Sequence, residues 1–196
     1  MADNTKSRLI EIGAEIIHLK GFNHTGIKEI LEAAQVPKGS FYHYFESKED
    51  FGLQVIDYFV EYMAQVARGV LADHSVSPLE RIRNLLTGFI ELFKARGYGY
   101  GCPIGNLSQE MGDISPAFRE KLKYALDSLA NIYAEPLALA QEAGEIPRDL
   151  NIRDTARFIV SSWHGALIHM KAAKSPEPLA NHLRFIFDHV LKRMEG

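Results

Sequence analysis

Val36-Pro37-Lys38-Gly39-Ser40-Phe41-Tyr42-His43-Tyr44-Phe45 is the stretch on which the reading of this chain turns. Phe41 and Phe45 lie one helical turn apart, so both can anchor one face of a short helix, roughly Lys38 to Tyr44, to whatever lies beneath. Tyr44 reads as part of the same packing. Lys38, Ser40, Tyr42 and His43 then project elsewhere, and their chemistry suits DNA. A lysine reaches a phosphate or a guanine edge, a tyrosine or histidine bonds phosphates or packs on a thymine methyl, and Gly39 lets the sugar-phosphate backbone approach closely.

Upstream, Ile27, Ile30, Leu31 and Ala34 recur at helical spacing, which predicts a helix from about Thr25 to Ala34 with Thr25 as its cap. Gln35-Val36-Pro37 joins it to the short helix, a connection tight enough to hold two helices at a steep angle, as a helix-turn-helix requires. Thr25 and Lys48, at the starts of the second and fourth helices, add candidate phosphate contacts.

The rest of the chain carries the same period. Leu9, Ile12, Ile16 and Leu19 define a first helix, and Leu53, Ile56, Val60 and Met63 a long fourth one begun by Ser47-Lys48-Glu49-Asp50. Ser77-Pro78-Leu79-Glu80 combines a cap, a first-position proline and a capping-box glutamate, starting a helix that runs to about Arg96. Gly97-Tyr98-Gly99-Tyr100-Gly101 breaks the pattern, and Pro103 opens a short helix. Ser115-Pro116 opens a longer one, closed by Gly144 and Pro147, which Pro136 should kink or interrupt. Asn151 with Asp154, then Ser175-Pro176, start the last two. The expectation is an all-α protein of about nine helices, with a helix-turn-helix domain at residues 1–47 and a sensing and dimerisation domain at 48–196.

Composition narrows the function classes. The formal net charge is −3, and residues 1–50 hold six Lys/Arg against eight Asp/Glu, so affinity for DNA has to come from a few well-placed contacts. Cys102 is the sole cysteine, which excludes an intrachain disulfide and thiolate metal clusters and fits a reducing cytoplasm. The N-terminus is polar, and no apolar run approaches the ~20 residues of a membrane helix. Histidines 18, 24, 43, 74, 164, 169, 182 and 189 form no metal-binding spacing such as H-E-x-x-H, the serines form no G-x-S-x-G elbow, and the glycine-rich segment has no preceding strand. Neither catalytic residues, nor a metal site, nor a cofactor is expected.

From Gly21-Phe22 through Thr25-Gly26-Ile27, Ile30, Ala33-Ala34 and Val36–Phe45 to Ser47-Lys48-Glu49, the chain resembles the DNA-binding signature of the TetR family of transcriptional regulators. The resemblance implies an all-helical homodimer with an N-terminal reader, a C-terminal domain that binds a small-molecule inducer, and release of a palindromic double-stranded DNA operator when the inducer binds. Thr25, Pro37, Lys38, Gly39, Ser40, Tyr42, His43 and Lys48 are the expected DNA-binding set. Two residues depart from the family pattern. Gln35 stands where glycine is frequent, so a non-glycine has to adopt a left-handed conformation. Pro37 replaces a common serine, removing a side-chain cap while presetting the backbone for the next helix.

Outside the reader, aromatics abound, and any one of them is more simply read as packing. As a set, Tyr62, Phe89, Phe93, Tyr124 and Trp163 suit a small, partly apolar or aromatic inducer. Cys102 follows a flexible stretch and precedes Pro103, at a helix start whose dipole favours a thiolate; the competing reading is a small buried hydrophobe. Tyr100-Gly101-Cys102-Pro103-Ile104-Gly105-Asn106-Leu107, followed by Glu110, Trp163 and Lys171, is also similar to the TetR branch that senses electrophiles through a cysteine. Dimerisation is expected through stripes of Ile159, Trp163 and Leu167 with Leu183, Ile186 and Val190, unless these face their own domain. The alternative function is a helical small-molecule-binding or adaptor protein with a vestigial reader.

Overall fold

Ser47 Oγ accepts the amide of Asp50 at 3.0 Å while the Asp50 carboxylate accepts the amide of Glu46, also at 3.0 Å, so the fourth helix starts on a Ser47 cap with Asp50 reaching back one residue beyond it. The same local physics starts the later helices. Ser77 accepts from Glu80 at 3.3 Å, Ser115 from Phe118 at 3.2 Å and Asn151 from Asp154 at 3.0 Å. The Glu80 carboxylate turns instead to Arg83, 3.4 Å away, leaving that capping box half made.

The computed structural model describes residues 2–192. Its helices are α1 (Ala2–Lys20), α2 (Ile27–Ala33), α3 (Phe41–Tyr44), α4 (Lys48–Leu71), α5 (Pro78–Ala95), α6 (Pro103–Met111), α7 (Pro116–Glu142), α8 (Ile152–Ala173) and α9 (Glu177–Phe185). A 3-10 turn over Lys38–Ser40 leads into α3, and a π turn over Ile186–Val190 extends α9. Among the described residues there are nine α-helices and no strand, the all-α architecture expected. Contrary to one half of the expectation for Pro136, α7 runs through it without interruption.

Two compact units emerge, and neither ends near residue 47. One gathers the residues up to Tyr62 with Pro103–Ala125; the other gathers Met63–Cys102 with the residues from Leu126 onward. The chain therefore passes between units three times, within α4, at the Cys102-Pro103 bond and within α7 after Ala125.

In the first unit, α1 buries Leu9, Gly13, Ala14 and Ile17, and Leu19 is two-thirds exposed at 67%. The buried face thus lies one position round from the Leu9-Ile12-Ile16-Leu19 stripe. Gly13 explains the offset, since a Cβ there would fall 2.3 Å from Phe51 Cζ. A close approach of α4 replaces a large side chain on α1.

Gln35 ends the turn after α2 at φ 53°, the left-handed region its position demanded. Because a Cβ is disfavoured there, Gln35→Gly should relieve about 1 kcal/mol of strain and raise the thermal midpoint by roughly 2–4 °C in a circular-dichroism melt. An unchanged or lower midpoint would show that the glutamine carries no net strain.

In the second unit, Ile159, Trp163 and Leu167 on α8 and Ile186 after α9 are buried, while Leu183 and Val190 are half-buried. These stripes face their own unit, which corrects their assignment as the dimerisation surface. The outward face carries Phe158, Ile168 and Phe185, with exposed Ser161 and Gly165 between them on α8. An open groove of about 450 Å³ runs here, lined by Phe158, Ser162, Asn181, His182, Phe185 and His189 among others.

His182 belongs to this groove and yet is 8% exposed. Its Nε2 lies 3.0 Å from Ser162 Oγ, its ring meets Trp163 edge-on at 5.2 Å, and its Nδ1 has no partner. Burial pushes its pKa from the ordinary 6.5 down to about 4, opposed by the Ile159 carbonyl. A depressed folded-state value means that the unfolded chain takes up the proton more readily. Stability should therefore be full above pH 6.5 and fall as pH drops toward 4. A loss of about 1 kcal/mol between pH 7 and 5 is expected, allowing for water that reaches the groove. Urea titrations should show His182→Gln flattening that slope; an equal slope in both proteins would assign the acid loss elsewhere.

Candidate nucleic-acid interface

The reader is built on a cluster of three rings. Phe41 lies 5.0 Å from Phe45 and 5.5 Å from Phe51, and Phe45 lies 4.9 Å from Phe51, with all three essentially excluded from solvent. Offset and edge-on pairs of this kind add to the area they bury. Ile30 of α2, also fully buried, lies beside the same Gly13 that receives Phe51, so α1, α2 and α4 close around one core.

Pro37, Lys38, Gly39, Tyr42 and His43 are exposed on the far side of this anchor, with Ser40 half-buried. Tyr42 is 68% exposed, although its ring edge touches Phe41 at 5.4 Å. A solvated tyrosine beside a lysine and a histidine on a short helix fixed from behind is a surface for contact with phosphates and base edges. A Cβ on Gly39 would meet nothing within 4 Å, so no packing inside the protein calls for glycine there. The room it leaves lies outward, where a nucleic-acid backbone would approach.

Two expected contacts are placed differently. Thr25 is 1% exposed and its hydroxyl donates to Gly21 O at 2.7 Å, while Gly26 takes the cap position of α2 without a side-chain bond. Its side chain is thus a brace within the loop, not a helix cap or an outward group. Lys48 is half-buried, donates from Nζ to Phe22 O at 2.8 Å and lies 4.5 Å from the centre of the Phe22 ring. Burial pulls its pKa down against the opposing charge of Glu110. That ammonium serves the loop before α2.

The loop residues 21–26 also reveal partners that inspection of the reader missed. Glu110 and Met111 of α6 and Phe118 of α7 contact Phe22 or Asn23. Lys6 of α1 adds a cation 5.6 Å from the Phe45 ring.

The residues proposed for sensing do not gather in one place. Tyr62 and Tyr124 belong to the first unit and are exposed, Tyr62 stacked on Tyr58 at 6.4 Å. Cys102, Phe89, Phe93 and Trp163 are buried in the second unit, where Lys171 is exposed. Exposure takes Tyr124 and Lys171 out of any enclosed lining, because helix periodicity turns them to solvent. Cys102 is a free thiol, 8% exposed, next to the start of α6. Tyr133 is fully enclosed, and its ionisation is pushed upward first by burial and then by Cys102. It keeps its proton as a phenol.

A helix-turn-helix reader on an aromatic anchor, joined to a second helical unit with a buried cysteine, defines a class of DNA-binding regulators. Residues 9–55 match the model of bacterial regulatory proteins of the tetR family, and residues 78–186 that of the tetracyclin repressor-like C-terminal domain. The chain belongs to the TetR family of transcriptional regulators, whose members act by binding DNA and small-molecule ligands, not by catalysis. It is 38% identical to the transcriptional regulator AcuR of Cereibacter sphaeroides over 95% of this chain and 85% of that protein. It is 35% identical to the HTH-type transcriptional repressor DhaR of a Mycobacterium species, covering 97% and 94%. The crystal structure of reduced Escherichia coli NemR superposes with a TM-score of 0.85 at 26% identity, covering 98% of this chain and all of that one. Among the described residues, no helix is long and apolar enough to cross a membrane.

Proposed function

We propose that the protein is a homodimeric cytoplasmic repressor that holds a palindromic operator and leaves it when an electrophilic small molecule reacts at Cys102. The exposed Lys38-Tyr42-His43 surface, fixed from behind by Phe41 and Phe45, carries the reading. A vestigial reader has no use for a solvated tyrosine and lysine on so well-anchored a helix. Lys38, Pro37, Gly39, Ser40, Tyr42 and His43 are the proposed contact set, presented to the major groove by the 3-10 turn and α3.

Two readers are needed for a palindrome, and the outward face of α8 and α9 is suited to a second copy. Phe158, Ile168 and Phe185 are large apolar groups left exposed beside small Ser161 and Gly165, which let another helix come close.

For sensing, the Cys102 sulfur would add to the electrophilic carbon of an activated alkene, breaking its C=C π bond, and the thiol proton would pass by way of water to the carbon next to the activating carbonyl. The start of α6, immediately after Cys102, favours negative charge on the developing thiolate. NemR, to which this chain is similar, is a repressor in Escherichia coli whose crystal structure is that of a reduced form. Phe89, Phe93 and Trp163, buried in the same unit as Cys102, are the apolar side chains proposed to bound the inducer. Binding lowers operator affinity by favouring a dimer whose readers no longer match the half-site spacing.

The test is a selection of genomic fragments by purified protein, with and without a mild electrophile such as N-ethylmaleimide. A palindromic fragment should be retained by the untreated protein and released by the treated one. Cys102→Ser should retain it in both conditions. Release of DNA from the Cys102→Ser protein by the same treatment would refute the thiol mechanism.

A further inference from the structure

We propose that Glu110 is the positioning residue through which α6 sets the DNA reader, its carboxylate chelating the loop that leads into α2. The amides of Phe22 and Asn23 donate to its two oxygens at 2.9 and 2.7 Å. Two adjacent N–H groups on one carboxylate form a charge-assisted pair, and such bonds are roughly twice as strong as neutral ones.

Other side chains close the loop around this grip. Lys48 of α4 donates to the Phe22 carbonyl at 2.8 Å, so one residue is held at its N–H by α6 and at its C=O by α4. The Phe22 ring packs 4.8 Å from that of Phe118, and Asn23 Nδ2 reaches Met111 Sδ at 3.5 Å. Gly21 completes the fit at φ +89°, where a Cβ would fall 2.9 Å from Glu110 Oε2. Only glycine leaves room for the carboxylate at this corner.

The consequence for DNA follows from what α2 lacks. Its cap residue, Gly26, makes no side-chain cap bond, so the entry into α2 depends on the loop that precedes it. That loop is held by Thr25 on Gly21, by the Thr25 amide on the Phe22 carbonyl, by Lys20 of α1 on Glu29 of α2, and by Glu110 on Phe22 and Asn23. Helix α2 continues through the Gln35 turn into the reader, and a displacement of Glu110 is passed to the surface that carries Lys38 and Tyr42. Helix α6 begins at Pro103, the residue after Cys102, so Glu110 lies near its far end, roughly 10 Å along at ~1.5 Å per residue. The step from thiol to latch rests on the inducer reading proposed for Cys102; the seating of the reader by Glu110 does not.

The experiment compares wild type, Glu110→Gln and Lys48→Met, the second loosening the same loop from its opposite side. Amide hydrogen exchange is followed at Phe22 and Asn23 and, as a reference for global opening, along α8. Affinity is measured for a DNA fragment selected by the wild type, across a salt series. Both variants should speed exchange at Phe22 and Asn23 at least tenfold with α8 unchanged, and weaken DNA binding about tenfold without altering the salt slope, because no phosphate contact is removed. Undiminished affinity despite faster loop exchange would overturn the proposal, as would an affinity loss accompanied by equally faster exchange along α8 in both variants. In wild type, an electrophile that releases the DNA should speed the same two amides. A wild type that binds DNA but ignores electrophiles would refute the inducer reading while the Glu110 result still stands.

Discussion

Replacing Lys38 and Tyr42 together by alanine is expected to weaken operator binding by two to three orders of magnitude while leaving the thermal midpoint nearly unchanged. Both side chains are exposed, and the anchoring face of the helix is formed by Phe41 and Phe45, which remain. A phosphate or base-edge contact contributes on the order of 1 kcal/mol or more. In a dimer each substitution removes two contacts, so the pair removes about 4 kcal/mol, close to a thousandfold in affinity. The single substitutions separate two kinds of contact. Lys38→Ala should also lower the salt slope by about 2, roughly one per protomer, since a cation that displaces counterions is lost. Tyr42→Ala should weaken binding without that change. Fluorescence-anisotropy titrations across a salt series read both quantities, and full affinity in the double variant would remove the reader from this helix.

Much of the fold is legible because helix starts are local events. Ser47 with Asp50, and Asn151 with Asp154, are three apart and need only their own backbone to make the bond that starts a helix. The left-handed turn at Gln35 is legible only through the resemblance, since glycine is frequent at this position in the family and glycine there marks a positive φ. Thr25 shows where such reasoning fails. Its position suits a cap, but its hydroxyl turns back to the Gly21 carbonyl and the cap passes to Gly26. Periodicity also says that a stripe is apolar without saying what covers it. Ile159, Trp163 and Leu167 are covered by their own unit, and the exposed face on α8 and α9 is partly made of serine and glycine, which no hydrophobic pattern marks. Close approach through a missing side chain, as between Gly13 and Phe51, is equally silent in a sequence. The Glu110 grip on Phe22 joins residues 88 positions apart, a contact that one sequence cannot reveal. The reading surface and its Phe41-Phe45 anchor were therefore visible early, whereas the Phe51 ring, the close approach at Gly13 and the Glu110 grip that support them appeared only with the fold.

Those supports make Phe41 the position of largest expected stability loss. Its ring has 0% exposure and sits between Phe45 and Phe51, at 5.0 and 5.5 Å. Truncating a fully buried phenylalanine removes the transfer energy of the ring and leaves a cavity, about 3–5 kcal/mol together. Marginal stabilities of about 5–15 kcal/mol make this a large fraction of the whole, and a chain of this length should lose roughly 10 °C or more in its midpoint. The damage should also be uneven. Helix α3 has four residues, too few to hold a helical turn without tertiary packing. With the ring gone, the reader should open before α8 does, so amides from Lys38 to Phe45 lose protection while those of α8 keep most of theirs. Operator binding should vanish at 20 °C in a protein whose far-ultraviolet spectrum remains helical, even though Lys38, Tyr42 and His43 are all present. Phe41→Leu, which refills much of the volume, should recover most of the stability and a measurable part of the affinity. If Phe41→Ala bound the operator as tightly as wild type, the contact residues would not depend on the aromatic anchor, and the account of how this short helix is held against DNA would fail.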